Sequence, residues 1–395
     1  MRKKILLTLV FLSLFALGVV NVSAGTYGDL TYTISNGKVT ITKCKSSAIS
    51  VVIPETIEGK PVTNIGSSAF YNCTKLLTVK IPESVTSIGN SAFGFCTSLE
   101  DIEIPDSVKS IGNAAFADCD NFFDIKIPAS VTSIGDDAFS GCNNLAYIEI
   151  PDSVTAMGES AFYDCDSLER IKLPKSITVI PNMMFSSCDN LREIKIPETV
   201  TGIGNYAFSW CISLEEIEIS EGVITIGNGA FYNCTGIKKI KIPDSVTSIG
   251  DSAFCDCTRL KSVEIGSGMR RIEDWAFGNC IGITTYYRGT VEEWNDIYIG
   301  GYDGYYITAN VIFVEHTRSL VSEDGKEFTV TPVNIKNGNT VILALYNGGG
   351  FVETQTAVYK GEALTFNTAN DYTDAKVMVW ESIDGLKPLC EAEEI

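Results

Sequence analysis

Histidine is almost absent from this chain of 395 residues, and His316 is the only one. It follows the repeated part of the sequence, which excludes a Ser-His-Asp or Cys-His catalytic arrangement within the repeats. The chain also lacks a P-loop, a G-x-G-x-x-G motif, an H-E-x-x-H motif and an EF-hand loop, which are signatures of nucleotide and metal sites. We therefore expect no catalytic residue, no cofactor and no metal site, and a protein that is not an enzyme.

Positive charge is scarce as well. The 30 Lys and Arg residues are outnumbered by 49 Asp and Glu residues, and the formal net charge is -19. Nucleic acids and anionic lipids are bound by clusters of Lys and Arg. We therefore do not expect nucleic acid as a partner.

Long apolar runs are missing except for one, at residues 5–20, which follows Arg2, Lys3 and Lys4. Val22-Ser-Ala24 then supplies small residues for cleavage, a pattern typical of a secretory signal cut after Ala24. An uncleaved anchor helix is the alternative, although the run is short for a membrane span. Cleavage removes three positive charges and no negative ones, which takes the net charge from -19 to -22. We expect a mature protein that is secreted and extracellular, without a transmembrane segment.

What the sequence does contain is a strict repeat. Ten cysteines stand 23 residues apart, and a phenylalanine precedes each of them by three residues. These cysteines are Cys73, Cys96, Cys119, Cys142, Cys165, Cys188, Cys211, Cys234, Cys257 and Cys280. A fixed period of this length predicts a solenoid, in which stacked coils bury a continuous core that no coil could bury alone.

One coil, Leu99–Cys119, shows how each repeat is read. Ile102 and Ile104 alternate with charged neighbours, which predicts a short strand with one buried face. Pro105 ends that strand because it has no N–H to donate. A looser alternating stretch follows and ends at Gly112, where we expect the glycine to allow close approach between coils.

The residue after this glycine is Asn, Asp or Ser in nearly every coil, as Asn113 is here. Such residues accept hydrogen bonds from the first N–H groups of a helix. The pattern predicts a short helical turn that carries Ala115, Phe116 and Cys119 inward. Each coil would then contribute one strand and one helical turn, with the strands stacked into a parallel sheet.

The repeat, L-x-x-I-x-I-P-x-S-V-T-x-I-G-x-x-A-F-x-x-C, resembles the 23-residue, Treponema-type leucine-rich repeat of the BspA-like bacterial surface and secreted proteins. The resemblance covers residues 53–285. Residues 25–52, with Asn36-Gly37 as a hairpin turn, resemble the family's N-terminal cap, and residues 286–315 its closing element. Members of the family are secreted or displayed at the surface, and some act in adhesion, so the resemblance implies a role in binding proteins of the host or of other cells.

The period disappears after His316. Residues 327–333, 340–346, 354–359, 363–367 and 376–382 are read as strands separated by turn residues. They predict a small β-sandwich, immunoglobulin-like, over residues 316–395. The predicted organisation is a signal peptide at 1–24, an N-terminal β-hairpin cap at 25–52, leucine-rich repeats at 53–285, a C-terminal cap at 286–315 and the sandwich at 316–395.

The ten repeated cysteines allow three interpretations. Metal ligation lacks a recurring histidine or carboxylate beside the thiols, and disulfides lack anything that would pair equivalent sites. Buried free thiols beside Phe and Ala fit the pattern best. Cys44, Cys255 and Cys390 lie outside the series and are better candidates for exposure.

The exposed face of the strands is the candidate binding surface. The position between the two strand isoleucines alternates mostly between Lys and Glu, which indicates a self-compensating row. The flanking positions of the N-terminal coils instead carry aromatic and apolar groups among acids. These candidate partner-binding residues are Leu77, Glu100, Asp101, Phe123, Asp124 and Tyr147.

We interpret the chain as a non-enzymatic, adhesin-like interaction protein, expected to be a monomer, that binds an extracellular protein through the sheet face of the solenoid. The alternative is a carbohydrate-associated accessory protein. In that case the C-terminal domain binds glycan, and aromatic residues such as Trp380 stack on sugar.

Overall fold

The computed structural model describes residues 23–301, 307–308 and 311–313, and short strands in the C-terminal region. Its main body is a stack of equivalent coils in which parallel strands recur every 23 residues. The fold is therefore a leucine-rich repeat solenoid built mostly from parallel sheet, with little helix.

The first strands of the coils pair in parallel with their equivalents in neighbouring coils and form four separate sheets within the described residues. Val79 lies beside Ile102, and Ile148 beside Ile171, so each residue stacks on the residue 23 positions further along. The isoleucine at the centre of each strand points inward and its neighbours face solvent. The strands of this first ladder are Ser50–Val52, Thr78–Lys80, Asp101–Glu103, Tyr147–Glu149, Arg170–Lys172, Glu193–Lys195, Glu216–Glu218, Lys239–Ile242, Ser262–Ile265, Thr284–Tyr287 and Val311–Phe313.

The looser stretch of each coil forms a second parallel ladder, so each coil contributes two strands where we predicted one. Its strands are Lys60–Ile65, Ser87–Ile88, Ser110–Ile111, Ser133–Ile134, Ala156–Met157, Val179–Ile180, Gly202–Ile203, Thr225–Ile226, Ser248–Ile249, Arg271–Ile272 and Tyr298–Ile299. The glycine that ends each strand packs against the preceding coil. A Cβ on Gly135 would lie 2.6 Å from the Asn113 nitrogen and 2.7 Å from the Gly112 carbonyl carbon. The expected role in close approach between coils is confirmed.

The predicted helical turn is wrong, because the third side of each coil, here called the turn face, is built from left-handed residues. Asp137 has a φ of 53° and Gly141 a φ of 69°. The N–H groups of Asp137, Phe139 and Gly141 donate to carbonyls of the next coil, at 2.8–2.9 Å. In a helix, N–H groups donate along the helix axis to carbonyls of the same segment. Here the N–H groups of the turn face donate to the next coil, and these bonds are a third set between coils beside the two strand ladders.

The predicted N-cap role of the residue after the glycine is wrong for the same reason. The Oδ1 atom of Asn205 accepts from the N–H of Asn228, its equivalent in the next coil, at 2.8 Å. Asn113 accepts from the N–H of Asp136 in the same way, at 3.2 Å. These side chains join neighbouring coils instead of capping a helix, and an Asn, Asp or Ser pattern cannot by itself distinguish the two roles.

The core is a column of phenylalanine rings. The ten repeated phenylalanines from Phe70 to Phe277 have no solvent exposure. Neighbouring rings are stacked, for example Phe116 and Phe139 with centroids 5.4 Å apart and planes 8° apart. Adjacent coils therefore share their main apolar contact along the whole solenoid.

The repeated cysteines are free and buried, as expected. Each thiol from Cys96 onward also donates to the carbonyl of a phenylalanine in the preceding coil, as Cys142 does to Phe116 at 3.2 Å. The prediction that Cys44 and Cys255 are exposed is wrong, because both are buried, with 3% and 8% of their surface exposed. The N–H of Cys44 donates to Ala69 and turns the cap strand onto the first coil; Cys390 lies outside the described residues.

Both ends of the solenoid are covered. At the N-terminus Ser23–Tyr27, Leu30–Ser35 and Lys38–Cys44 form an antiparallel sheet. The predicted hairpin turn is confirmed by left-handed φ values at Asn36 and Gly37. Lys38–Cys44 then continues the second ladder by pairing in parallel with Lys60–Ile65, and the short strand Thr56–Ile57 folds back on that strand.

At the C-terminal end a helix, Val291–Asn295, follows the last coil. Thr290 caps it, and the Glu293 side chain bonds back to the Thr290 N–H to complete a capping box. Trp294 packs at 5.1 Å from the fully buried Tyr287 ring. This packing brings apolar side chains over the final coil.

The C-terminal region contains two antiparallel sheets. One consists of Leu320–Val321, Glu327–Val330 and Leu364–Asn367, and the other of Thr340–Asn347, Gly350–Val358, Asp374–Trp380 and Glu393–Glu394. Five of these strands overlap the five read from the sequence, with different bounds, and Leu320–Val321 and Glu393–Glu394 were not predicted. Their packing into an immunoglobulin-like sandwich stays a prediction, and so do the domain boundaries.

The second ladder is interrupted once between consecutive coils. Elsewhere the residue that ends the strand donates its N–H across the ladder, as Gly158 does to Ile134 at 2.9 Å. Pro181 occupies this position in the next coil and has no N–H to donate. Ala156–Met157 and Val179–Ile180 belong to separate sheets as a result, and a cavity of about 370 Å³ lies between them.

Candidate functional site

The candidate binding residues lie together on the outer face of the first ladder in consecutive coils. The N–H of Glu100 donates to the Leu77 carbonyl at 3.0 Å, and that of Ala146 to the Phe123 carbonyl at 3.3 Å. Asp124 and Tyr147 form a parallel bridge. These candidate residues, here called the acidic-aromatic strip, therefore occupy four consecutive coils as two paired halves, Leu77 with Glu100 and Phe123 and Asp124 with the following coil. The strands Asp101–Glu103 and Tyr147–Glu149 belong to separate sheets.

The apolar members of this strip face solvent. Phe123 is 67% exposed, Tyr147 is 46% exposed and Leu77 is 37% exposed. Glu100 and Asp124 are exposed beside them. Asp101 begins the strand Asp101–Glu103, and its side chain lies outside the described residues. Large exposed aromatic groups among carboxylates are typical of contact surfaces.

The row of alternating charges on the same face forms two ion pairs between neighbouring coils. Lys172 donates to Glu149 at 2.6 Å, and Lys195 lies 3.5 Å from Glu218. The pKa of Lys172 is raised by its hydrogen bond with Glu149. All four side chains are more than half exposed, so each pair contributes little to stability. Their role is to neutralise charge on the ladder.

A cleft of about 410 Å³ continues the strip towards the C-terminus. It opens where the first ladder is interrupted between Arg170–Lys172 and Glu193–Lys195, which belong to separate sheets. Buried Ile171 and Ile194 form its floor, and Tyr147 stands at its N-terminal side. Charged groups of both signs line the walls: Arg170, Lys172, Lys195, Glu193, Glu216 and Glu218.

Arg170, Glu193 and Glu216 belong to this surface and were not predicted from the sequence. They occupy the same coil position as Asp124 and Tyr147, five residues after the cysteine. Following that position through every coil would have found them. The interrupted pairing that opens the cleft has no comparable signal in the first strand of these coils.

Carboxylates also crowd the middle of the turn face. Burial, together with the neighbouring charges of Asp120 and Asp164, raises the pKa of Asp118, and burial raises that of Asp166 and Asp189. These groups repel one another. In the part of the chain that the structure describes, no three His, Cys, Asp or Glu side chains are placed to hold a metal ion.

Residues 42–168, 110–237 and 179–296 match the BspA type leucine rich repeat region. A leucine-rich repeat protein from Bacteroides ovatus is 32% identical with a TM-score of 0.62, over 73% of this chain and 81% of that one. Among curated proteins, none matches.

Two further solved structures are similar in sequence. The leucine-rich repeat protein of T. pallidum is 33% identical, over 49% of this chain and 92% of that one, with a TM-score of 0.45. A leucine-rich cell surface protein from Faecalibacterium prausnitzii is 27% identical, over 70% and 97%, with a TM-score of 0.39. Within the described residues, no helix has the length and apolarity that crossing a membrane requires. Because the family model matches residues 42–168, 110–237 and 179–296, more than half of the sequence, the chain belongs to the BspA-type leucine-rich repeat family.

Proposed function

We propose that the protein is a secreted, non-enzymatic interaction protein, adhesin-like, that binds an extracellular protein through the outer face of the first ladder. The observation that carries this proposal is the acidic-aromatic strip. Phe123 and Tyr147 expose ring surface that the fold itself does not use, whereas the ten repeated phenylalanines from Phe70 to Phe277 are fully buried in the core.

The chemistry of the strip favours a partner with basic and apolar groups. Glu100 and Asp124 flank the two exposed rings, and Lys and Arg side chains can approach both a carboxylate and an aromatic face. The adjoining cleft, with Arg170 and Glu193 in its walls, would hold side chains of either sign. The strip would supply apolar anchoring, and the charged cleft would fix the register of the partner.

The non-enzymatic role is inferred from the family and from the absence of a histidine in the repeats. Secretion is inferred from the signal-like sequence of residues 1–24. Residues 1–22 lie outside the described part, and the cleavage site stays a prediction. His316 and the side chain of Trp380 also lie outside it.

The test is a binding screen of residues 25–395 against immobilised extracellular-matrix proteins at about 150 mM salt, where the Debye length is about 8 Å. We expect a protein ligand whose binding is lost in the double variant Phe123→Ala/Tyr147→Ala. The matched control is Tyr71→Ala, which removes a ring of similar exposure, 49%, from the turn face. Equal loss in the control would contradict the proposed surface. Loss of binding on removing residues 316–395 alone would move the site to the C-terminal region.

A further inference from the structure

The turn face carries a second group of exposed aromatic residues, in places where the backbone disfavours them. Two positions in each coil, five residues and one residue before the cysteine, have left-handed φ values, and most coils place Ser, Asp, Asn or Gly there. Tyr206 and Trp210 occupy these positions with φ values of 55° and 64°. A bulky residue with positive φ is strained by about 1–3 kcal/mol.

Burial does not compensate for this strain. Trp210 is 50% exposed, Tyr206 is 45% exposed, and the adjacent Ile212 is 40% exposed. Since sister coils fold with small polar residues at the same positions, the solenoid does not require these rings. Strained and exposed side chains that the fold does not need are typical of binding sites.

The rings form a compact surface, here called the aromatic platform and consisting of Tyr206, Trp210 and Tyr232. The centroids of Trp210 and Tyr232 lie 6.1 Å apart with planes tilted by 57°. The Tyr206 ring lies across Gly229 in the next coil, where a Cβ would come within 2.3 Å of it. Gly229 is the one glycine at this coil position in the ten repeats, and it makes room for the ring.

Polar groups hold the platform and border it. Asn279 donates to Asp256 at 2.7 Å, and a hydrogen bond with Asp256 raises the pKa of Tyr232. These contacts connect three successive coils and fix the orientation of Tyr232. A rigid aromatic surface loses little conformational entropy when a ligand binds.

We propose that the aromatic platform binds a neutral glycan, with a pyranose ring stacked on Trp210. A pyranose has an apolar C–H face that packs on an aromatic ring, and hydroxyl groups that need hydrogen-bonding partners at the edge of the site. Asn233 occupies the Trp210 position in the next coil and offers a side-chain amide that can both donate and accept. The net charge of -19 disfavours an anionic glycan, and Asp256 is already engaged by Asn279 and Tyr232, so a cationic ligand finds no unpaired carboxylate there.

The site is independent of the proposed protein partner, because the aromatic platform and the acidic-aromatic strip lie on different sides of the coils.

The test is affinity electrophoresis of residues 25–395 in gels that contain laminarin, mannan or arabinoxylan, followed by calorimetric titration with the polysaccharide that retards the protein. We expect at least one of these neutral polysaccharides to bind. Trp210→Asn should weaken that binding by about tenfold or more.

The variants are matched to the repeats themselves. Asn occupies the Trp210 position in three sister coils, at Asn72, Asn233 and Asn279, so Trp210→Asn should not lower the melting temperature. Gly229→Ser, which places a common turn-face residue under the Tyr206 ring, should also weaken binding. The control is Phe95→Asn, which removes an exposed ring with a φ of 60° from the same coil position near the N-terminus; it should change the affinity less than about twofold.

Three outcomes would overturn the proposal. Trp210→Asn could bind as tightly as the unchanged protein, or Phe95→Asn could weaken binding equally. The third outcome is that none of the three polysaccharides binds. If polylysine then binds in a Trp210-dependent manner, the platform is a contact for basic protein segments.

Discussion

At the scale of single residues, the cysteines show how one side chain serves both packing and hydrogen bonding. Each fits beside a phenylalanine as a small apolar group, and its thiol also donates to a carbonyl in the preceding coil. Burial raises the pKa of Cys96 and Cys165 to about 12. Thiols in this setting are poor nucleophiles, because the thiolate is the reactive form.

We therefore predict that the ladder thiols that burial keeps protonated, such as Cys96 and Cys165, are inert in the native protein at about pH 8 and that all 13 cysteines react after denaturation. Cys73 is set apart, because its hydrogen bond with Cys44 lowers its pKa. The unfolded thiols lose their protons near the ordinary pKa of 9.0, whereas the buried ones keep theirs up to about 12. The free energy of unfolding should fall as the pH rises from about 9 towards 12 and be insensitive to these groups below 9. Thiol titration with and without guanidinium and unfolding at several pH values test both statements. Fewer than about eight reactive thiols in the denatured protein would indicate disulfides instead.

At the scale of elements, the first strand of each coil was predictable, whereas the second strand and the turn face were not predicted. The 23-residue period places identical residues on top of one another, so Ile102 above Val79 follows from the sequence alone. A helix and a left-handed turn both bring Phe116 and Cys119 inward, three residues apart. The helix and the left-handed turn differ in whether the N–H groups donate within the coil or to the next coil. Bonds to the next coil are non-local, and they leave no local pattern in the sequence.

The bonds between coils on the turn face lead to a prediction at Asn205. Its replacement by Ala leaves the Asn228 N–H without the acceptor now at 2.8 Å, and should lower the free energy of unfolding by about 0.5–1.5 kcal/mol. Asn205→Asp keeps an acceptor, as Asp136 does for the Glu159 N–H at 3.0 Å, and should change stability much less. Urea unfolding of both variants measures the difference. Similar losses for Ala and Asp would show that the bond to Asn228 is not what stabilises this position.

Pro181 shows that an interruption of one ladder can be read from the sequence although its consequences cannot. A proline at the position of the strand-ending glycine predicts a missing donor. The size of the cavity between Ala156–Met157 and Val179–Ile180 depends on how far the strands separate, which the turn face limits by its own bonds, such as Phe162 to Met184 at 3.0 Å. The cleft beside Tyr147 in the first ladder has even less local signal.

At the scale of the whole molecule, each coil offers three sides joined by one core. The column of phenylalanine rings and the bonds between coils fix the scaffold, and the exposed positions of every side remain free to differ from coil to coil. The acidic-aromatic strip and the aromatic platform occupy different sides and different coils. The position of the strip was predictable, because outward-facing strand residues follow from alternation. The platform was missed, because the turn face was interpreted as helix.

A stack of this kind should respond to damage at one end in a graded manner, since each coil contacts only its neighbours. Ile41 in the N-terminal cap is fully buried and pairs with Ile65 in the first strand of the second ladder. Ile41→Ser should lower the stability of the cap by about 2–5 kcal/mol. Hydrogen exchange should then show protection lost most strongly in the first coils and progressively less towards Cys280.

The control is Lys43→Ser, which alters an exposed side chain of the same strand and should leave protection unchanged. The decay along the chain is the decisive observation, because the shared phenylalanine column couples the coils while the cap supports only the first of them. Equal loss of protection in every coil would mean that the solenoid unfolds as one cooperative unit, in which the cap stabilises all coils alike.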